Sequence, residues 1–115
     1  MKERYLSLNK QFEYIAVDFD GTLNEHKFPE IGEPKESVIA FVCYHHLRGT
    51  KIILHTCREN TSERAFLDEA ITWCREHNIP IDAVNENPWV SFGKRKVYAD
   101  IYVDDRSVNA DDVWR

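Results

Sequence analysis

At 115 residues with a formal net charge of -5, the chain has room for one core and lacks the basic surface that broad phosphate-backbone binding requires. Its 43% hydrophobic and 30% charged residues describe an ordinary folded chain rather than a disordered one. No apolar run approaches the roughly 18 residues of a membrane span, and Cys43, Cys57 and Cys74 show no CxxC spacing, which suits free thiols in a cytoplasm better than a disulfide frame.

The first element is EYIAVDF, residues 13–19, short, apolar and rich in strand formers, as expected of a strand buried on both faces. It ends in Asp18 and Asp20, followed at once by Gly21 and Thr22. A polar loop with Gly21, Pro29, Gly32 and Pro34 leads into a helix expected over residues 35–49. Pro34 suits its first turn and Gly49 its end, while Val38, Phe41, Val42 and His45 form one stripe. A second buried strand, residues 51–55, runs into Thr56. Asn60 with Glu63 predicts a capping box that opens a second helix, reaching about Asn78. Its buried face is expected to carry Phe66, Leu67, Ala70, Ile71, Trp73 and Cys74. A weaker strand over 80–85, a loop over 86–95 and a last strand over 98–103, ending in Asp104 and Asp105, complete the chain.

Strands alternating with helices imply right-handed crossovers and a parallel, doubly wound sheet, in a single domain over residues 1–115. Such sheets bind ligands outside the carboxyl ends of their strands. Asp18, Asp20, Thr56, Arg58, the Asn85–Trp89 loop and the Asp104–Asp105 pair all lie at or just after strand ends, so topology gathers them on one edge. Several carboxylates at one place repel unless a cation joins them, and hard oxygen ligands point to Mg2+. With the cation bound, one carboxylate can attack phosphorus and a second can move the proton. Thr56 offers a hydroxyl and Lys94, Arg95 or Lys96 a cation for the phosphoryl oxygens.

The order DFDGT, IILHT, a lysine and IYVDD resembles the four motifs of the haloacid dehalogenase-like (HAD) superfamily of phosphotransferases, over residues 13–107. The resemblance implies a Rossmann-like, three-layer α/β core and a phosphomonoester hydrolase that passes through an aspartyl-phosphate. It makes Asp18 the nucleophile and a metal ligand. Asp20 becomes the general acid/base, lending a backbone carbonyl to the metal. Thr56 becomes the phosphate-binding hydroxyl, Lys96 or Lys94 the phosphate-side lysine, and Asp105, with Asp104 beside it, the last metal ligand. Gly21 and Thr22 would shape the turn after the nucleophile, and Arg58 stands as a further candidate substrate contact.

The spacings leave no room for an inserted cap domain, so the expectation is a capless phosphatase. Its substrate is then either a small phosphorylated metabolite or nucleotide, with a partner copy closing the site, or the phosphorylated end of a macromolecule. The acidic balance weighs against nucleic acid, and nothing calls for a membrane. Residues 24–33 and 85–92 are the expected specificity elements, with His26, Phe28, Glu86 and Trp89 as candidates within them. A receiver-like phospho-aspartate signalling domain is a competing reading, but its acidic pair would come first rather than last. An inactive HAD-like binding module is another, against which every motif residue is present.

Overall fold

The computed structural model describes residues 10–92 and 95–113. Four strands, β1 (Tyr14–Val17), β2 (Lys51–Leu54), β3 (Ala83–Val84) and β4 (Ile101–Val103), form one sheet in the order β3-β2-β1-β4. Every pairing is parallel, with Val17 opposite both Leu54 and Val103. Two helices, α1 (Glu36–Leu47) and α2 (Phe66–Glu76), form the crossovers, and a short 3-10 turn (Ala110–Asp112) follows β4. The α/β architecture and the parallel sheet expected from the sequence are present. Among the described residues no helix is long and apolar enough to cross a membrane.

The two inner strands, β1 and β2, are buried on both faces, and period-two alternation sorts their side chains. Ile15, Val17, Ile52 and Leu54 pack with Ile39 and Val42 of α1 and with Ala70 and Cys74 of α2. Tyr14, Ala16 and Ile53 face the other way, onto Val97, Ala99 and Val90. Both helices therefore cover one face, as right-handed crossovers stepping in one direction require. The opposite face is covered by the irregular connection from β3 to β4, so among the described residues the helices do not flank both faces as the expected doubly wound sheet would have them. Ile15, Val17, Ile52, Ile53 and Leu54 are each 0% exposed, and burial of such a side chain contributes about 1.5–3 kcal/mol.

The expected helix boundaries hold at α1, where Gly49 follows in a left-handed conformation (φ +99°). They fail at α2, which begins six residues after Asn60 rather than directly behind it. Thr61 closes a local turn, accepting from the Glu63 and Arg64 amides at 3.2 and 3.0 Å. A side chain that satisfies its neighbours in this way competes with helix. Asn60 still caps α2, because its Oδ1 accepts from the Leu67 and Asp68 amides at 3.1 and 3.0 Å. Glu63 takes no part in that cap. β3 and β4 are also shorter than expected, at two and three residues.

Not every acid serves the carboxyl edge. Asp100 accepts from the Glu13 and Tyr14 amides, and Asp82 from the Ile52 amide at 2.7 Å. These carboxylates satisfy orphan donors where β1 and β2 begin.

Candidate active site

The chain leaves β1 toward β2 and β3, while β4 returns to the other flank of β1. The strand order thus reverses between β1 and β4, the crevice where open parallel sheets bind their ligands. Asp18 follows β1 and the Asp104–Asp105 pair follows β4. The Asp18 amide donates to Val103 O at 2.9 Å, continuing the ladder by one rung beyond the strands. Carboxylate oxygens of Asp18, Asp104 and Asp105 consequently lie within 4.8 Å of one another.

Thr22 stitches the two acidic segments together. Its buried hydroxyl donates to Asp18 Oδ2 at 3.2 Å and accepts from the Asp105 amide at 3.0 Å. Gly21 makes the turn possible. Its φ is +88°, and a Cβ at this position would collide with the Asp105 carboxylate. The Gly21 amide donates to Asn24 Oδ1 at 3.2 Å, and its carbonyl accepts from Lys35 Nζ at 2.8 Å. The electrostatic consequence falls on Asp18. Burial, then the charge of Asp104 with a smaller push from Asp105, raises its carboxyl to about 6; the Phe19 amide and Thr22 act in the opposite direction. Three close carboxylates with one held well above its ordinary value form a hard-oxygen set that a divalent cation would relieve.

Asp20 is not in this group. Its two oxygens accept from Arg58 Nε and Nη2 at 2.8 and 2.9 Å. From the sequence Arg58 is either a substrate contact or a surface arginine. Its side chain is instead only 1% exposed and committed to Asp20 and to backbone carbonyls, so in this structure it is not presented to a ligand.

Thr56 follows β2, beside β1. Its amide donates to Asn85 Oδ1 at 2.8 Å and its Oγ1 accepts from the Arg58 amide at 3.1 Å, which keeps its own O–H available as a donor. Lys96 is exposed, with its ammonium 5.1 Å from the centre of the Tyr102 ring. It shares with His55 and Asp104 the lining of a groove of about 880 Å³ along β4. Lys94, the other candidate, lies outside the described residues.

Phe28 packs on Phe66, with ring centres 5.6 Å apart, beside the Asp20–Arg58 pair. His26 and Glu86 are exposed. Trp89 is a correction. It stacks on Tyr14 at 6.0 Å under Lys51, the first residues of β1 and β2, and therefore sits at the opposite edge of the sheet from Asp18.

Lys35 is a site residue that the sequence does not single out, while Asn24 and Asn85 open the two expected specificity elements without a role assigned to either. Lys35 had a signal, since a helix that follows a parallel strand starts at the carboxyl edge of the sheet. Asn85 stands in a left-handed conformation (φ +55°) at the end of β3, which an asparagine tolerates better than most residues. Asn24 is buried within the turn that it holds.

Fold and site together define a parallel α/β protein with a carboxylate cluster at its topological switch point. No protein-family model matches the chain, and no curated protein matches it. Among solved structures, a conserved protein from Bacteroides thetaiotaomicron is 35% identical, with a TM-score of 0.71 over 86% of this chain and 79% of that one. The chain belongs to the same family as that conserved protein.

Proposed function

We propose that the chain is a Mg2+-dependent phosphomonoester hydrolase, a capless phosphatase of the HAD superfamily with that superfamily's three-layer core. The observation that carries this reading is the meeting of Asp18, at the end of an inner strand, with Asp104 and Asp105 across the β1–β4 crevice. The helix layer and the irregular layer on the two faces of the sheet support the core assignment, and the DFDGT motif supports the chemistry.

Asp18, Asp104 and Asp105 would hold the cation, with the Asp20 carbonyl as a fourth donor. When bound, Mg2+ would offset the charge of these carboxylates and of the phosphoryl oxygens. Asp18 is the nucleophile: one of its oxygens forms a bond to phosphorus as the bond to the leaving oxygen breaks. Thr22 keeps the Asp18 carboxyl turned by its hydrogen bond. Both Asp20 oxygens accept from Arg58 in the structure, so the acid role requires that this pair open and one oxygen take a proton from water. Asp20 then gives that proton to the leaving oxygen and takes one back from the water that attacks the phosphorus of the aspartyl-phosphate. That second attack breaks the bond to Asp18 and releases phosphate. The Thr56 hydroxyl and the Lys96 ammonium face the phosphoryl oxygens as charge develops.

With no cap, the groove beside Asp104 admits either a small phosphorylated metabolite or nucleotide, or the phosphorylated end of a larger chain. Three unpaired thiols fit a cytoplasmic setting. The test is hydrolysis of p-nitrophenyl phosphate in Mg2+ and in EDTA. Wild type should turn over only with the metal, and Asp18→Asn should be inactive. Near-full activity in Asp18→Asn would remove the nucleophile assignment. A long-lived phospho-aspartate without turnover would point to signalling instead.

A further inference from the structure

The sheet keeps its register for one row beyond its strands. The His55 amide donates to Val17 O and the Asp18 amide to Val103 O, both at 2.9 Å. Val17 lies opposite both Leu54 and Val103, so this next row sets His55 and Asp104 on either side of Asp18. Period two fixes the face. Ile53 and Ala16 pack on the side covered by Val97 and Ala99, and His55, two residues after Ile53, leaves β2 on that side. Tyr102 of β4, opposite Ala16, stands there as well.

These two rings flank β1, yet their centres are 6.4 Å apart. Strands separated by a third lie about 9.5 Å apart. The rings therefore lean toward each other over β1, where Ala16 offers only a methyl group. Tyr102 is anchored by its hydroxyl, which donates to Val97 O at 2.6 Å. His55 is exposed, and neither of its ring nitrogens has a hydrogen-bond partner among the described residues. It lines the groove that Asp104 also lines, and Asp104 is one of the three carboxylates of the cluster. An imidazole with both nitrogens free thus stands next in register to Asp18. Asp20, by contrast, is engaged as an acceptor from Arg58 through both oxygens.

We propose that His55 is a further catalytic residue, the proton donor to the leaving oxygen while the Asp20–Arg58 pair stays closed. This role rests on the hydrolase reading. As an Asp18 oxygen forms its bond to phosphorus, the bond from phosphorus to the leaving oxygen breaks and its electron pair stays on that oxygen. The leaving oxygen then takes the N–H proton of the His55 imidazolium, and a neutral imidazole remains. Water enters along the line the leaving group has vacated, since attacking and leaving oxygens lie roughly in line. The imidazole takes a proton from that water as it attacks the aspartyl-phosphate, so the cycle closes on water and the ester alone. Histidine is the side chain most often used for such transfers.

The test compares two esters on the full chain with Mg2+. p-Nitrophenolate leaves readily without a proton, whereas the phenolate of phenyl phosphate is more basic and needs one. The measured quantity is kcat/KM, which covers only the steps up to departure of the leaving group. His55→Asn should lower it by about 10²-fold for phenyl phosphate but only about threefold for p-nitrophenyl phosphate, the first being the lower end of what a positioned acid contributes. Added imidazole should restore part of the phenyl phosphate turnover in His55→Ala. Equal losses for the two esters would overturn the assignment, because a contact to the phosphoryl group does not sense the leaving group. So would a His55→Asn protein that keeps its phenyl phosphate turnover. Both of these results leave the hydrolase reading standing. A wild type inactive toward both esters would instead remove that reading, and this role with it.

Discussion

Replacing Asp18 by Asn should make the metal-free protein more stable. Asp18 is raised from its ordinary 3.8 to about 6, first by burial and then by Asp104. A carboxyl whose folded value exceeds its unfolded one destabilises the fold when ionised. That penalty is absent below about pH 4 and complete above about pH 6. The full difference corresponds to about 3 kcal/mol. Screening at a site that opens to solvent roughly halves it, leaving about 1.5 kcal/mol. Asn keeps the shape and can still accept from Thr22. In EDTA at pH 7.5, Asp18→Asn should therefore raise Tm by about 6 °C. At pH 5, where the folded carboxyl is mostly protonated, roughly half of this gain should vanish. Saturating Mg2+ should reverse the order, since only the wild type gains binding energy from the complete cluster. Thermal melts followed by circular dichroism measure all three conditions. An Asp18→Asn protein that melts at or below wild type in EDTA at pH 7.5 would refute the account of the site as strained by its own charge.

Gly21→Ala should cost about 1–3 kcal/mol, because φ is +88° and the new methyl displaces Asp105; it should also shrink the Mg2+-induced rise in Tm, and an unaltered metal response would contradict the close approach. His45 is 1% exposed, and neither ring nitrogen has a partner among the described residues. Burial, then the charge of Arg48, pushes its pKa below 6.5, so the fold loses stability as pH falls through that value. His45→Leu should stabilise by about 1 kcal/mol at pH 7.5 and by more at pH 5 in urea titrations; a loss at both would show that the imidazole is satisfied in its pocket.

The sequence carried the site where chemistry depends on local order. Asp18 at the end of an apolar strand and Asp104–Asp105 after another could be brought to one edge by topology alone. The α1 stripe through Val42 and His45 was legible for the same reason, since period alone places it. What escaped was set by partners distant in sequence. The sequence leaves Arg58 open between a substrate contact and a surface arginine, because nothing near it announces a bond to Asp20, 38 residues earlier, or to the carbonyls of Pro29 and Glu30. Trp89 lay in a loop that follows a strand end, yet that loop runs back across the sheet to Tyr14. The start of α2 departs from the capping-box expectation because Thr61 closes a turn over residues 61–64, and Asn60 caps the helix from across that turn. The loop expected over 86–95 carries no periodic signal, although Val90 within it packs with Val97 and Ala99 against Tyr14, Ala16 and Ile53.

β4 is a border strand joined to the rest of the sheet by only three residue pairs, Ile15–Ile101, Ala16–Tyr102 and Val17–Val103. Its far end carries Asp104 and Asp105, and the rung from Asp18 to Val103 lies directly against them. A cation held across that gap would act as a hem, closing the margin of the sheet at the point where it is narrowest. Without it, mutual repulsion pulls on the same margin. The spacing of the three carboxylates and the cohesion of the sheet's outermost strand are then one mechanical property, so a ligand that loosens the acids would also fray the fold.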